Sequence, residues 1–503
     1  MNFENRTLFI ADNLDIMRGM DSETIDLIYL DPPFKSGKQW KAPIGSPAEG
    51  AEFKDIWTDK DIKDEWHGHI AAEHEELYQI IQASEVVYDK SMKIYLTAMA
   101  VRLFEMKRLL KTTGSIYLHC DPTASHYLKM VMDDILGMRN YRAEIIWKRH
   151  NAHNDKLFGS IHETIFYYSD SEKTIPDEVL IPLTDDRIDA FDGCDEHGKY
   201  EKADLKGPDP SKGESGKPWC GVDPGNRHWA PPRIGSKGRY AEYIVENFIP
   251  NYGEIEGVHA RLDALNEAGL IIWPEKGIVP RLKRYLRPES GMPPQSIWDD
   301  ILTEENEDTG YPTQKPLALL DRVIKASSKE GDMILDPFCG CATACVAAER
   351  LNRQWIGIDI SPDAEDITKL RLTEEAETKA GRGTGVLREG QLPLPFDPLT
   401  DIVVRKDAPK RTDNAEEEAI QMRLPAYQTH KNELFGRQEG RCNGCQEFFR
   451  FRNFTVDHIR PQIKGGTDHI GNLQLLCAAC NSTKGSGTQE ELISRLKEQG
   501  VLK

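Results

Sequence analysis

Apolar residues follow two rhythms along this chain, and each predicts a kind of element. In Ile25 to Leu30, "IDLIYL", every position but Asp26 is apolar, and the run stops at Asp31, Pro32 and Pro33. A short apolar run closed by two prolines predicts a central parallel strand whose carboxyl end opens into a loop. Met99, Leu103, Met106 and Leu110 recur at helical spacing, Gly114 is placed to end that helix, and "SIYLHC" at 115–120 predicts a second buried strand. "AEIIWKRH" and "HETIFYYS" read as two further strands joined by a polar loop, and Tyr29 reads as a core residue. After Ser169 the periodicity fades.

It returns at "TQKPLALLDRVIKASS". There Thr313 is placed to cap a helix, Pro316 suits its first turn, and Leu319, Val323 and Ile324 share one face. "DMILDPFCGCATACVAAERLNRQWIGIDIS" then predicts a strand, a tight turn of small residues, a helix and a strand ending in Asp359. Alternating strands and helices predict a doubly wound, Rossmann-like α/β sheet. The expected organisation is a first half over 1–170, an insertion over 171–308, a second half over 309–375, a Gly-, Pro- and charge-rich connector over 376–423, and a small domain over 424–503, beginning near Leu424.

Composition narrows the function. A chain of 503 residues can hold two or three domains. Its start lacks a secretory pattern and no apolar run is long enough to span a bilayer, so a cytoplasmic protein with no membrane role is expected. Its ten cysteines then read as thiols or metal ligands. The net charge of -19 argues against unspecific polyanion binding, while local basic strips can still hold a phosphate backbone. Two such strips, "NRHWAPPRIGSKGRY" and "RLKRYLRP", lie in the insertion, where they are either solvated faces or a surface for nucleic acid.

The turn after Asp336 has the layout of a nucleotide-type cofactor site, with small residues for close backbone approach and an acid about twenty residues on for ribose hydroxyls. Ala342 stands where a third glycine would cradle a pyrophosphate, so a less anionic ligand is indicated. "DPPF", "TQKP" and "DPFCG" together resemble the amino-methylating DNA methyltransferases of the β arrangement, over roughly residues 5 to 375. The resemblance implies S-adenosylmethionine as cofactor, double-stranded DNA as partner, target recognition in the middle insertion, and a base flipped from the duplex. It implies that Asp31 and the Pro32 carbonyl accept the hydrogens of an exocyclic amine, with Pro33 stiffening the loop and Phe34 stacking on the base. By the same resemblance Asp336, Phe338 and Gly340 line the cofactor's methionine end, Asp359 its ribose and Asp12 its adenine, with Thr313 and Lys315 near its carboxylate. Aspartate at the first position points to adenine N6, with cytosine N4 as the alternative. Cys339, Cys341 and Cys345 read as buried thiols and not as a metal site.

In the C-terminal domain, Cys442 with Cys445 and Cys477 with Cys480 form two Cys-x-x-Cys pairs, the spacing of a structural zinc site that would substitute for a missing core. Between them, "VDHI", Asn472 and Asn481 resemble the HNH nucleases over about residues 435 to 486, a small zinc-braced ββα unit using Mg²⁺. That resemblance makes His458 the base, Asp457 and Asn481 the magnesium ligands, and Asn472 a brace for the histidine's loop, with His469 in a turn. The expectation is a single-chain restriction-modification enzyme; the alternative is a methyltransferase whose zinc module only binds DNA. One HNH unit nicks one strand, so a double-strand break needs two protomers or two visits, and a homodimer is left open.

Overall fold

Strands form where short apolar runs can be buried on both faces. The computed structural model describes residues 1–35, 37–43, 46, 48, 52–150, 158–170, 179–211, 213–235, 240–274, 279–287, 291–301, 309–379, 401–413 and 426–502. Its main sheet has nine strands: β1 Thr7–Ile10, β2 Ile25–Leu30, β3 Leu110–Cys120, β4 Tyr141–Lys148, β5 His162–Ser169, β6 Ile297–Trp298, β7 Met333–Asp336, β8 Gln354–Asp359 and β9 Val403–Arg405. Their spatial order is β6-β4-β5-β3-β2-β7-β8-β1-β9. The run from β3 to β9 is parallel, and β5 runs antiparallel to both neighbours.

Alternation along β2 decides the layering. Ile28 and Leu30 enter one buried cluster, Leu27 and Tyr29 the other, so both faces of the sheet are covered. On the first face lies α4 (Lys90–Leu109), preceded by α1 (Asn13–Gly19), α2 (Asp64–Glu73) and α3 (Glu75–Val87). The other face carries α5 (Leu317–Ser327) and α6 (Thr343–Arg350), and α7 (Asp363–Lys379) follows β8.

Three local expectations are corrected. Helix α4 stops at Leu109 and β3 starts at once, so Leu110 and Gly114 are strand residues and Gly114 caps nothing. Thr313 does not cap α5: the residue preceding that helix is Pro316, and Thr313 has left-handed backbone (φ 65°). Part of the presumed connector is structural. Residues 376–379 finish α7, β9 pairs with β1, and Asp21 and Ser22 bind Thr412 and Asp413 through hydrogen bonds of 2.8 and 2.9 Å. Residues 380–400 and 414–425, with the expected domain start at Leu424, lie outside the described residues.

Leu180–Pro293 is a compact unit of its own. Its four-stranded sheet, in the order Ile271–Ile272, Arg281–Tyr285, Gly198–Asp204, Gly193–Asp195, packs on helices Tyr240–Asn247 and Val258–Glu267. Strands of two to seven residues are too short to register as periodicity. The "RLKRY" strip is a central strand with Leu282 and Tyr285 buried and Arg281 and Arg284 exposed.

The C-terminal residues belong to the same compact unit as the main sheet. After α8 (Lys431–Arg437), β10 (Phe454–His458) and β11 (Leu473–Cys477) form an antiparallel pair, followed by α9 (Ala478–Lys484) and α10 (Gln489–Glu498). Among the described residues no helix is long and apolar enough to cross a membrane.

Candidate functional site

Because β2, β7 and β8 are parallel and β7 lies between the other two, the loops at their carboxyl ends open at one edge of the sheet. There a cavity of about 630 Å³ brings Asp31, Pro32, Pro33 and Phe34 together with Asp336, Phe338 and Gly340. Asp12, Thr313, Lys315 and Asp359 line the same cavity.

Asp31 sits at its most constrained point. Lys315 Nζ donates to Asp31 Oδ2 at 2.7 Å and lies 5.0 Å from the centre of the Phe34 ring. Asp31 Oδ1 is buried and has no hydrogen-bond partner among the described residues. Lys315 also lies 3.7 Å from Glu163, whose carboxylate meets His119 Nε2 at 2.8 Å and Arg149 at 3.0 Å. The Tyr29 hydroxyl joins this chain through His119 Nδ1 at 2.7 Å. Tyr29 is therefore buried core and also a polar contact of the cavity wall. Burial acts to raise the Glu163 carboxyl, but Lys315, His119 and Arg149 outweigh it and hold the group well below the usual carboxylate range. Lys315 is the mirror image: burial acts to lower it, and Asp31 and Glu163 raise it above an ordinary lysine.

Lys315, expected beside the cofactor's carboxylate, binds Asp31 at the start of the loop that follows β2. His119 and Glu163 escaped the sequence reading because they interrupt strands read as wholly buried. A histidine in "SIYLHC" and a glutamate in "HETIFYYS" were the available signals.

On the other side, Asp359 accepts from the Gly340 and Ser361 amides, each at 2.8 Å, and Asp336 accepts from the Phe338 amide at 3.1 Å. Burial pushes the Asp336 carboxyl well up and Asp359 upward too. Gly340 has φ 50°, and a Cβ there would lie 3.0 Å from the Tyr311 ring, so the turn admits no larger residue without displacing that wall. Asp12 caps α1 through the Leu14 amide at 2.8 Å and pairs with Arg102 at 3.1 Å. The small-residue turn and the acid that ends β8 fit an adenosine-bearing ligand.

In the C-terminal domain the thiol sulfurs of Cys442, Cys445, Cys477 and Cys480 lie within 4.8 Å of one another. Cys442 Sγ accepts from the Gly444 and Cys477 amides, each at 3.3 Å. Four converging sulfurs with amide donors suit a tetrahedral zinc ion. Asp457 and His458 end β10, and Asn481 is on α9. Asn472 braces the loop between the strands, bonding the Arg460 amide at 2.9 Å and the Arg460 and Thr467 carbonyls at 3.0 and 2.8 Å. His469 accepts from the Gly471 amide at 3.1 Å within a turn.

Three partners here were not foreseen. The Asp468 carboxylate lies 2.7 Å from His458 Nε2. The buried Lys484 ammonium lies 2.9 Å from Asp457 Oδ2 and donates to the His458 carbonyl at 2.7 Å, while Gln474 donates to the same Asp457 oxygen at 3.2 Å. Both of these contacts of the Asp457 carboxylate are to Oδ2, and no hydrogen bond reaches its Oδ1 among the described residues.

The comparisons with known proteins agree with this division. The DNA methylase profile of the N6/N4 type matches residues 25–370, and the HNH endonuclease profile matches 442–487. The type II methyltransferase M.EcaI of Enterobacter cloacae is 28% identical over 322 residues, which is 62% of this chain and 66% of that protein. The type III restriction-modification enzyme StyLTI Mod subunit of Salmonella typhimurium is 26% identical over 382 residues, covering 70% and 51%. The chain thus spans between half and two thirds of these relatives. A DNA modification methylase from Thermus thermophilus, complexed with S-adenosyl-L-methionine, matches 80% of this chain and 99% of its own with 14% identity and a TM-score of 0.33. With the profile covering more than half of its length, the chain belongs to the N6/N4 DNA methylase family and carries an HNH endonuclease domain at its C-terminal end.

Proposed function

We propose that this chain methylates the N6 amine of a flipped adenine in double-stranded DNA and that its C-terminal domain nicks DNA, the two activities forming a single-chain restriction-modification enzyme. The observation that carries the first activity is that Asp31, whose Oδ1 is buried and without a hydrogen-bond partner among the described residues, lines a cavity shared by both loops. S-adenosylmethionine, when bound, supplies an electrophilic methyl group on a positively charged sulfur. Asp31 Oδ1 accepts one amine hydrogen and the Pro32 carbonyl the other, which turns the nitrogen lone pair toward the methyl-donor side. Phe34 offers the base a stacking face that offsets part of its unstacking cost. Asp359 holds the ribose, Asp12 the adenine, and Asp336, Phe338 and Gly340 the methionine end, with Thr313 on the cavity wall. The amine proton released on methylation passes to Asp31 or to water.

For the second activity, His458 takes a proton from the attacking water. Asp457 and Asn481 hold a magnesium ion, which when bound neutralises charge on the phosphate, and a zinc ion on the four cysteines holds the domain's shape. The test is radiolabelled methyl transfer to unmodified DNA, followed by nucleoside analysis. Label in N6-methyladenine, lost in Asp31→Ala, supports the reading; label in N4-methylcytosine replaces the base, and no transfer by the wild type rejects it.

One observation favours a second reading for the C-terminal domain. Asp457 Oδ2 is already committed to Lys484, which limits what the site offers a metal. If His458→Ala leaves nicking unchanged from a wild type that nicks only at background, the domain binds DNA without cutting it.

A further inference from the structure

Glycine is the poorest helix former after proline, yet two helix glycines, Gly68 and Gly436, each lie against the backbone of the opposite helix across the methylase and nuclease portions. On α2, a Cβ at Gly68 would lie 2.3 Å from the Asn432 backbone of α8. On α8, a Cβ at Gly436 would lie 2.0 Å from the Asp64 carbonyl of α2. Each glycine admits the other helix's backbone, so the crossing is closer than any side chain would allow.

Around it the contact is apolar and then charged. Phe435 is fully buried with its ring 5.3 Å from Tyr78 of α3, and Phe448 stacks on the same tyrosine at 6.4 Å. Arg450 Nε lies 2.7 Å from Glu75 of α3 at the rim. Behind this surface one continuous buried cluster runs from Ile28 and Met99 through Trp66 and Leu77 to Phe435, Leu475 and Cys480. A domain held only by its connecting chain would need none of this.

We propose that α2 and α3 form a dock that holds the nuclease domain at one fixed offset from the methyl-transfer cavity. The distance from the methylated base to the nick is then set by the α2–α8 crossing and not by the length of the connecting chain. The part concerning nick position rests on the proposed nuclease activity; the dock itself does not.

The experiment uses the full-length chain in six forms: wild type, Gly68→Leu, a variant with ten Gly/Ser residues inserted after Asp413, Glu75→Arg, Arg450→Glu, and the two charge swaps combined. Nick positions are mapped on DNA carrying one methylation site, and release of a C-terminal fragment by limited proteolysis is timed. The insertion is expected to leave nick position and proteolysis unchanged. Gly68→Leu is expected to scatter the nicks and release the fragment several-fold faster, and the combined charge swap to restore what each single swap loosens. Nicks that move with the insertion, or proteolysis indifferent to Gly68→Leu and to both single swaps, would overturn the proposal. Should the wild type not nick, the nuclease reading fails, and the proteolysis arm alone still decides whether the dock exists.

Discussion

Lys315 Nζ stands 2.7 Å from Asp31 Oδ2 although 284 positions separate the two residues. One carboxylate oxygen is thereby fixed, while the other, Oδ1, is buried and has no hydrogen-bond partner among the described residues. Lys315→Met leaves Asp31 free to rotate and Glu163 without its nearest ammonium. The expected outcome in steady-state methyl transfer is a kcat lower by about 10²-fold with little change in cofactor KM. A raised cofactor KM at unchanged kcat would instead return Lys315 to the cofactor's carboxylate.

Glu163 makes the same network visible in stability. Its folded pKa lies below the ordinary 4.5, so its contribution is complete above that value and is lost as pH falls through the folded pKa. Thermal melts across pH are therefore expected to show Glu163→Gln less stable than wild type at neutral pH, with the gap closing in acid. A gap independent of pH would mean that the ion pairs contribute nothing.

His67 lies in α2 beside Tyr78, buried, with Nδ1 unpartnered among the described residues. Burial, helped by Lys93, lowers its pKa from 6.5 to about 4. The folded chain keeps this histidine neutral while the unfolded chain protonates it, so stability is full above 6.5 and erodes as pH falls toward 4. The loss is at most about 3 kcal/mol. His67→Gln is expected to flatten that part of the melting profile.

Removing the metal should act on one end of the molecule. Elemental analysis is expected to find one zinc per chain, falling to near zero in Cys477→Ser or after strong chelation. Zinc binding worth on the order of 10 kcal/mol to a small domain is folding energy, so the C-terminal residues should lose hydrogen-exchange protection. Protection that survives metal loss would assign the cysteines a packing role only.

Lys484 is 1% exposed and paired with Asp457. Taking away one member of a buried ion pair costs about 3–5 kcal/mol because the other is stranded. Lys484→Met is expected to lower the melting temperature clearly, whereas Lys464→Met, at an exposed pair with Glu491, should not.

The sequence displays what repeats locally and hides what meets across the chain. "IDLIYL" and "DMILD" are legible because a buried parallel strand must be apolar on both faces, and the four cysteines because metal spacing is local. Gly114 misleads because a glycine ending a helix and a glycine inside a strand look alike when α4 runs into β3 without a loop. The strand Val403–Arg405 is too short to announce itself, and its partner, β1, lies at the other end of the chain. Nothing in "TQKP" says that its lysine meets Asp31, since that contact depends on the sheet bringing two distant loops side by side. The glycines at 68 and 436 carry no signal of their own in the sequence, since each matters only by making room for the other helix's backbone.

Arg102 joins two regions of the molecule. It holds Asp12 and Asn13 at the rim of the cavity, and its guanidinium lies 5.7 Å from the ring of Trp66, on the helix whose Gly68 receives the C-terminal domain. Substituting this one arginine would disturb the lip of the cavity and the footing of the C-terminal domain in the same stroke. A defect mapped to position 102 would therefore report on the cavity and on the C-terminal domain together.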